Sequence, residues 1–498
     1  MSTARRKGRQ WTTVTALAAL LATGLPATAL ADGVGGQSRH LTGTLASGAD
    51  YVIDVPAHWN GTVLLFSHGY RPAGMDNPAA DAPDDATRAL LLGRGYALAG
   101  SSYATTGWAG EQAVPDQLNT LDAFARRVGR ARTTLAWGES YGGLVTTALA
   151  ERHSDRLDGS LSVCGLVHGG VANWNNTLDP VHALKTLLAP GSGTPLVGFR
   201  NQREARNASA ALSAVVQRAQ GGEQGRARIA LAAALHNIPS WNDPDLPRPE
   251  PGDPADAERA QYPVIQSLIA GPAFSWRQEA ESRAGGNMSW NTGVDYSQML
   301  RHSVNYQQVK DLYKTAGLSL QGDLRALAKA PRIRADHEAV AYIERNLTLS
   351  GRLRTPQLNI HTTGDPLVPV QTESAYRHAA DRTGSSRLLR QAYVDNAGHC
   401  TFSPGELAAA VKALDHRVHT GHWGDTSPHA LNASARTADP ASPARYLPYV
   451  PARYPRPYYP ARTPGDGSDG WPGSENRTQP RHSEGSPPRR APSTAAVR

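Results

Sequence analysis

Cysteine is scarce in this chain: only Cys164 and Cys400 occur among 498 residues. At most one disulfide can therefore form within the chain, and it would require an oxidising compartment. The sequence also lacks a dinucleotide-binding fingerprint, a phosphate-binding loop and a His/Cys cluster with metal-ligand spacing. We therefore expect no cofactor and no bound metal.

Net charge is also low once the first residues are set aside. Residues 1–31 carry four of the 51 lysines and arginines and none of the 43 acidic residues, so their removal lowers the formal charge from +8 to +4. No stripe rich in lysine and arginine remains. The composition thus argues against a nucleic-acid partner, and it leaves the oligomeric state open.

The first 31 residues have the pattern of a secretory signal peptide. Basic residues near the start precede an apolar run from Val14 to Leu30, and the small residues Ala29 and Ala31 fit a cleavage site near Ala31. We therefore expect an exported, extracellular mature protein.

A membrane anchor is the alternative interpretation of this segment. Gly24 and Pro26 interrupt the apolar run, which is short for a bilayer span of about 20 residues. We therefore predict no stable membrane insertion. The neighbouring Arg5 and Arg6 leave open whether export uses the general or the twin-arginine route.

Residues 32–165 alternate between short apolar strands and helical patterns. Continuous apolar runs at 62–67, 96–100 and 133–137 predict buried strands, separated by segments with helical periodicity. The Asn60-Gly61 pair predicts a hairpin turn between the strand at 51–55 and the strand at 62–67. Strands and helices in this rhythm predict a mostly parallel sheet with helices on both faces.

The remaining chain divides into three parts. Residues 166–354 contain helical patterns and loops, which predicts a helical cap or lid inserted into the sheet domain. The strand pattern returns in residues 355–424, which complete the same domain. Residues 425–498 are rich in proline and lack periodicity, so we expect a largely disordered tail.

The strongest chemical motif is the G-x-S-x-G sequence at residues 138–142, between a predicted strand and a predicted helix. A serine hydroxyl is a poor nucleophile unless a tight turn exposes it beside a base. Glycines on both sides make such a turn possible. The pattern predicts Ser140 as a nucleophile.

This motif and two later loops resemble those of the α/β-hydrolase superfamily. The resemblance covers about residues 45–170 and 355–420. It implies an α/β-hydrolase fold with a cap, and a triad in the chain order Ser140, Asp365, His399, each after a strand. Asp365 lies in Thr363-Gly364-Asp365-Pro366 and His399 in Asn396-Ala397-Gly398-His399. Asp395 is the alternative acid.

The resemblance also implies an oxyanion hole and a disulfide. The two backbone N–H donors would come from Tyr141 and from Tyr70, which ends the Ser67-His68-Gly69-Tyr70 loop. In the family's strand order the histidine loop passes the strand that ends at Cys164, so Cys164 and Cys400 would pair and brace that loop. Free thiols are the alternative.

The cap is expected to roof the substrate pocket. Four tryptophans are candidates for an aromatic wall, although each could instead pack inside the cap. They are Trp108, Trp174, Trp241 and Trp290.

The predicted function is that of a secreted serine hydrolase that cleaves carboxylic esters of small molecules through an acyl-enzyme. The first alternative is an exopeptidase of the tripeptidyl or prolyl aminopeptidase type, in which acidic cap residues 243–253 would bind the free amine of a peptide. The second alternative is a catalytically silent binding protein with the same fold.

Overall fold

The computed structural model describes residues 37–250 and 252–460. The predicted signal peptide, residues 1–31, lies outside the described residues, and so does the end of the predicted tail, residues 461–498. Within the described ranges no helix is both long and apolar enough to cross a bilayer.

A nine-stranded sheet in the described part of the chain has the order β1-β2-β4-β3-β5-β6-β7-β8-β9. Strands β4, β3, β5, β6, β7 and β8 are parallel, whereas β1, β2 and β9 add antiparallel pairs at the two edges. The strands are β1 (Arg39–Thr44), β2 (Asp50–Val55), β3 (Thr62–Ser67), β4 (Ala97–Ser101), β5 (Thr133–Glu139), β6 (Gly159–Val163), β7 (Gln357–Gly364), β8 (Leu389–Ala397) and β9 (Tyr446–Leu447). This is the mostly parallel α/β sheet that the sequence predicts.

The predicted hairpin at Asn60-Gly61 is wrong. Strand β2 pairs with β1 and β4, and β3 pairs with β4 and β5, so β2 and β3 are not neighbours. The Asn60 side chain instead accepts a hydrogen bond from the Thr62 N–H at 2.8 Å, which shapes the entry into β3. The turn therefore connects β2 to β3 without pairing the two strands, because β4 lies between them in the sheet.

Fifteen α-helices surround or cap this sheet in the described residues. The sheet domain contains α1 (Asp85–Leu92), α2 (Gly110–Arg127), α3 (Tyr141–Arg152), α13 (Thr372–Arg382), α14 (Pro404–Thr420) and α15 (Pro428–Ala438). Between β6 and β7 lie α4 (Gly170–Leu188), α5 (Gln202–Ala219), α6 (Glu223–His236), α7 (Pro254–Ala270), α8 (Arg277–Ala284), α9 (Tyr296–His302), α10 (Tyr306–Thr315), α11 (Leu320–Lys329) and α12 (His337–Leu347). A π-helical turn, Pro272–Trp276, precedes α8, and a 3-10 turn, Ser386–Leu388, precedes β8.

Both faces of the sheet are covered, as the continuous apolar runs require. Along β3, Val63 and Leu65 pack into the core that contains α2 and α3, whereas Leu64 and Phe66 pack into the core that contains α14. All four are at most 1% exposed. A strand buried on both faces must be apolar at every position, which explains why no polar alternation appears there.

The segment between β6 and β7 has an apolar core of its own. Residues of α4, α5, α6 and α7 form this core, together with residues of α9, α10 and α11. Alanine and leucine make up half of α6, where residues 229–235 are all buried. Because the segment buries its own apolar surface, it forms a helical layer rather than a loose loop.

The expectation of a largely disordered tail is wrong for residues 425–460. This part forms α15, whose Leu431 and Ala435 are buried, and β9, which pairs with β8. Tyr446 and Tyr454 are 4% and 1% exposed. The sequence does not reveal this packing because the segment has few apolar residues and no periodic pattern. Single tyrosines and one arginine fix it to surfaces that are distant in the chain.

Candidate active site

Ser140 occupies a strained turn between β5 and α3. Its φ is +57° and its ψ is −122°, a conformation that non-glycine residues rarely adopt. A side chain on Gly142 would collide with the carbonyl of Ser67, and a Cβ on Gly143 would lie 2.6 Å from the Gly165 Cα. The glycines are therefore required for β3, β6 and the turn to approach one another this closely.

The carboxyl ends of three parallel strands bring the predicted triad together. Ser140 follows β5, Asp365 follows β7 and His399 lies two residues after β8. The Ser140 Oγ lies 2.7 Å from His399 Nε2, and His399 Nδ1 lies 2.7 Å from Asp365 Oδ2. Since the Asp365 carboxylate can only accept, the Nδ1–H of His399 donates to it and Nε2 accepts from the serine hydroxyl.

Asp365 is fully buried and is held as a carboxylate. Its Oδ1 accepts the N–H groups of Leu367 and Val368, both at 2.9 Å. Burial by itself would raise the pKa of Asp365, but His399 and the neighbouring His361 outweigh burial and lower that pKa to about 2. The acid therefore presents a fixed negative charge to His399 at any pH above about 3.

The alternative acid, Asp395, lies elsewhere. It forms an ion pair with Arg248 at 2.5 Å, and its side chain is 43% exposed. Asp365, and not Asp395, is the carboxylate in contact with His399.

A disulfide joins Cys164, directly after β6, to Cys400, directly after His399. The two Cα atoms are 5.4 Å apart. Both residues have a positive φ, +43° and +58°, so each stands in a tight bend of the backbone. The pairing ties the histidine loop to the strand that neighbours β5.

The two predicted oxyanion donors flank Ser140. Tyr141 is the first residue of α3, so its N–H has no carbonyl of the preceding helical turn to bond. The 69–70 backbone passes close by, since a Cβ on Gly69 would lie 3.5 Å from the Ser140 Cβ. These positions suit the predicted role of Tyr141 and Tyr70, which stays a prediction.

Two buried residues outside the motifs hold the 66–69 backbone in place. The Tyr103 hydroxyl donates to the His68 carbonyl at 3.1 Å, and its ring stacks on the His68 imidazole with centroids 4.0 Å apart. Gln117 Nε2 donates to the Phe66 carbonyl at 2.5 Å and to Ser67 Oγ at 2.7 Å. No pattern in the sequence indicates this, because both contacts come from other elements.

A cavity opens beside Ser140, and five tyrosine and tryptophan rings are part of its wall. The empty space at this site is about 480 Å³, a figure that includes open solvent at the mouth of the cavity. The rings are those of Tyr70, Trp108, Tyr141, Trp174 and Trp276. Trp108 and Trp174 are the predicted wall residues that line it; their rings lie 4.9 Å apart.

The other two predicted wall residues pack elsewhere. The Trp241 ring lies against the Arg248 guanidinium at 4.3 Å, and the Trp290 ring lies edge-on to Tyr458. Trp276 is a wall residue that was not among the predicted ones, and its ring centroid lies 4.5 Å from that of Tyr70. Trp276 belongs to the π-helical turn before α8, and only the folded cap brings that turn over the serine.

A few polar groups from α4 and α6 complete the cavity wall: Asn173, Thr177 and His236. Burial lowers the pKa of His236 to about 4, so its imidazole is neutral at neutral pH. Among the described residues that line the cavity, none is a lysine, an arginine or a carboxylate. The cavity therefore suits an aromatic group with at most a few hydrogen-bonding substituents.

No family model matches the chain. A curated relative, the o-phthalyl amidase of Xanthobacter agilis, is 29% identical over 432 residues, which cover 81% of this chain and 93% of the amidase.

Solved structures similar to the chain include feruloyl esterase B from Aspergillus oryzae, with 14% identity and a TM-score of 0.37, covering 78% of this chain and 81% of the esterase. Another is the acylaminoacyl peptidase of Pyrococcus horikoshii, with 12% identity and a TM-score of 0.33, covering 76% of this chain but only 41% of the peptidase. These TM-scores are low, so the fold assignment rests on the strand order of the chain itself. That order and the strand–serine–helix turn give the chain the α/β-hydrolase fold, and with the amidase relative they indicate an enzyme of the hydrolase class.

Proposed function

We propose that this chain is a serine hydrolase with Ser140 as nucleophile, His399 as general base and Asp365 as the acid that orients the base. The observation that carries the proposal is the continuous contact from Ser140 Oγ through both nitrogens of His399 to Asp365, with 2.7 Å at each step. Contacts of this length and order are what proton transfer from an alcohol requires.

In the first half of the reaction, His399 Nε2 takes the hydroxyl proton as Ser140 Oγ attacks the substrate carbonyl carbon. The negative oxygen of the tetrahedral intermediate is stabilised by the N–H groups of Tyr141 and Tyr70. His399 then donates its proton to the leaving alcohol or amine, and an acyl-enzyme remains. In the second half, His399 takes a proton from water as the water attacks this ester, and it then returns that proton to Ser140 Oγ as the acid product leaves.

We propose esters and amides with a small aromatic acyl group as the substrate class. The rings of Trp108, Trp174 and Trp276 around the cavity support an aromatic acyl group, since such rings bury a flat ligand at little entropic cost. The amidase relative is named for the o-phthalyl group, which is an aromatic acyl group. Esters are expected to react faster than amides because an alkoxide is the better leaving group.

The exopeptidase alternative has less support. Two of its four cap carboxylates have other partners: Asp253 accepts the N–H groups of Ala255 and Asp256 at the start of α7, and Asp243 accepts the N–H of Asp245. A free amine in the cavity would meet no carboxylate among the described lining residues.

A panel of model substrates tests the proposal. The panel pairs benzoyl, acetyl and aminoacyl groups with nitrophenol and with naphthylamine. Benzoyl esters are expected to give the highest kcat/KM, and Ser140→Ala to abolish turnover and labelling by a fluorophosphonate. Turnover of aminoacyl naphthylamides alone would favour the exopeptidase, and absence of turnover and labelling would favour a binding protein.

We further propose that the chain is exported and that residues 1–31 are removed. The basic and apolar pattern of that segment supports export, and so does the Cys164–Cys400 disulfide, since disulfides persist in oxidising compartments. Expression of the full chain in a bacterium with both export routes tests this. Exported protein with Asp32 at its N-terminus is expected, and intact protein retained in the cytoplasm would contradict the proposal.

A further inference from the structure

Behind the triad lies a second, fully buried histidine. His361 is in β7, four residues before Asp365, and its side chain is 0% exposed. Its Nε2 lies 2.8 Å from the Val368 carbonyl oxygen and 3.6 Å from Asp365 Oδ2. Its Nδ1 lies 3.3 Å from Glu373 Oε1. The imidazole thus connects the acid of the triad to a carboxylate of α13.

Every group at the two ring nitrogens of His361 is an acceptor. A backbone carbonyl cannot donate, and neither can an ionised carboxylate, so satisfying both nitrogens requires an N–H on each. A neutral imidazole has only one N–H, whereas an imidazolium has two. With Glu373 ionised, the contact pattern therefore requires His361 in its charged form.

Glu373 is placed to be the counter-ion of that charge. It is 1% exposed, and its Oε2 accepts the side-chain amides of Asn359 at 2.9 Å and Gln391 at 2.5 Å. Donors on one oxygen and His361 on the other stabilise the ionised carboxylate. Burial would lower the pKa of His361, but Asp365 and Glu373 outweigh burial and raise that pKa to about 10.

We propose that His361 is a positioning residue for the triad: clamped between Glu373 and Asp365, it is a fixed buried cation that orients Asp365 and limits the basicity of His399. The inference rests on the proposed function, because it takes His399 as the general base. His361 and His399 lie near the same oxygen, Asp365 Oδ2, at 3.6 and 2.7 Å.

This arrangement has a definite electrostatic consequence. A positive charge on His361 competes for Asp365 and repels a second positive charge on His399, so it disfavours protonation of His399. Glu139, the residue before Ser140, interacts electrostatically with His399, and burial raises the pKa of Glu139 to about 7; this residue is the same in every variant compared. Near His361 itself, His168, after β6, is a further titratable group, and burial lowers its pKa to about 3. His168 is therefore neutral, and Glu373 and Asp365 set the local charge. Without the cation, His399 would keep its proton up to a higher pH. The enzyme would then lose activity at a higher pH when the solution is acidified.

The test is the pH profile of kcat/KM for a benzoyl ester, measured with the full chain from about pH 4 to 9. Glu373→Gln keeps the acceptor for Asn359 and Gln391, but turns an amide donor toward His361 Nδ1 and so makes the imidazole neutral. His361→Gln removes the cation directly. Both are expected to move the acid limb upward by about 0.5 to 1 pH unit, with KM little changed.

Glu258→Gln is the matched control. Glu258 is a fully buried glutamate in α7 of the cap, so the same carboxylate-to-amide change is made away from the triad. Its acid limb should coincide with that of the unmodified enzyme. Acid limbs of folded Glu373→Gln and His361→Gln that also coincide with it would overturn the proposal.

A measurement on the unmodified chain covers the case in which those variants do not fold. Histidine labelled with ¹⁵N should show one side chain with both ring nitrogens protonated up to about pH 9, where a free histidine is neutral. If every histidine loses its second proton below about pH 8, the proposal is overturned. This measurement does not depend on turnover. If the chain hydrolyses none of the substrates, the proposed function is refuted, but the ¹⁵N spectrum still determines whether His361 is charged.

Discussion

Cys400, joined by a disulfide to Cys164, directly follows His399. The bond therefore connects the histidine loop to the end of β6, the strand next to the one that carries Ser140. The Cys400 Sγ lies 3.5 Å from His399 Nε2, so the disulfide is in contact with the imidazole. A link at this point restricts the loop in which His399 contacts Ser140.

Reduction of the disulfide is expected to lower kcat more than it raises KM, because the histidine loop loosens while the cavity wall stays intact. The free energy of unfolding should fall by about 2 to 5 kcal/mol, as for other native disulfides that close long loops. Steady-state kinetics and urea unfolding of a Cys164→Ser, Cys400→Ser double variant measure both effects. An unchanged kcat in that variant would show that packing alone holds the loop.

Substitutions at Asp365 and at Asp395 test which of the two is the acid of the proposed triad. Asp365→Asn should lower kcat by about 10³ to 10⁴-fold, because an amide no longer holds the His399 tautomer or stabilises its charge. Asp395→Asn is the control: its partner is Arg248 on the surface, and kcat should stay within about twofold. The reverse pattern, with the larger loss in Asp395→Asn, would contradict the assignment of the acid.

The aromatic wall can be tested at Trp276. Trp276→Ala should raise KM for benzoyl esters by about 5- to 150-fold, because the loss of a large ring from the wall removes a contact worth about 1 to 3 kcal/mol. The effect on acetyl esters should be smaller. Trp423→Ala removes a half-buried tryptophan beside Arg390 and Arg417, away from the cavity, and should leave the ratio of benzoyl to acetyl kcat/KM unchanged. An equal loss for both acyl groups in Trp276→Ala would argue against an aromatic acyl site.

The C-terminal segment is fixed to the cap by a buried ion pair. Arg456 Nη1 lies 2.6 Å from Asp179 Oδ2, and Asp179 also accepts from the Tyr296 hydroxyl at 2.9 Å. Asp179 is fully buried. Arg456→Ala should therefore lower the free energy of unfolding by about 3 to 5 kcal/mol, because it leaves a buried carboxylate without its cation.

The pH dependence and a second variant check this mechanism. Burial raises the pKa of Asp179 even with Arg456 present, so acid neutralises the orphaned carboxylate and the loss should be smaller at pH 5 than at pH 8. Asp179→Asn added to Arg456→Ala should restore part of the stability at pH 8. A loss that is equal at both pH values and is not restored would indicate lost packing instead of an unpaired charge.

Local sequence was sufficient to predict the sheet class and the turn that carries Ser140, whereas Asp365 and His399 were implied by the resemblance of their loops to those of the α/β-hydrolases. An apolar strand, a glycine-flanked serine and a helix are contiguous, and the acid and the histidine each follow an apolar strand. The carboxyl ends of parallel strands lie at one edge of a sheet. Residues that follow such strands therefore come together independently of how the cap folds.

Tertiary structure alone decided the pairing of β2 with β4, the packing of residues 425–460, and the choice of Trp276 over Trp241 and Trp290 for the cavity wall. It also decided that His361 lies between two carboxylates. These features depend on side chains that meet across hundreds of residues, and such contacts leave no periodicity in the sequence. Strand class and motif order are local properties of the chain, whereas burial, charge partners and cavity walls exist only once distant segments pack against one another.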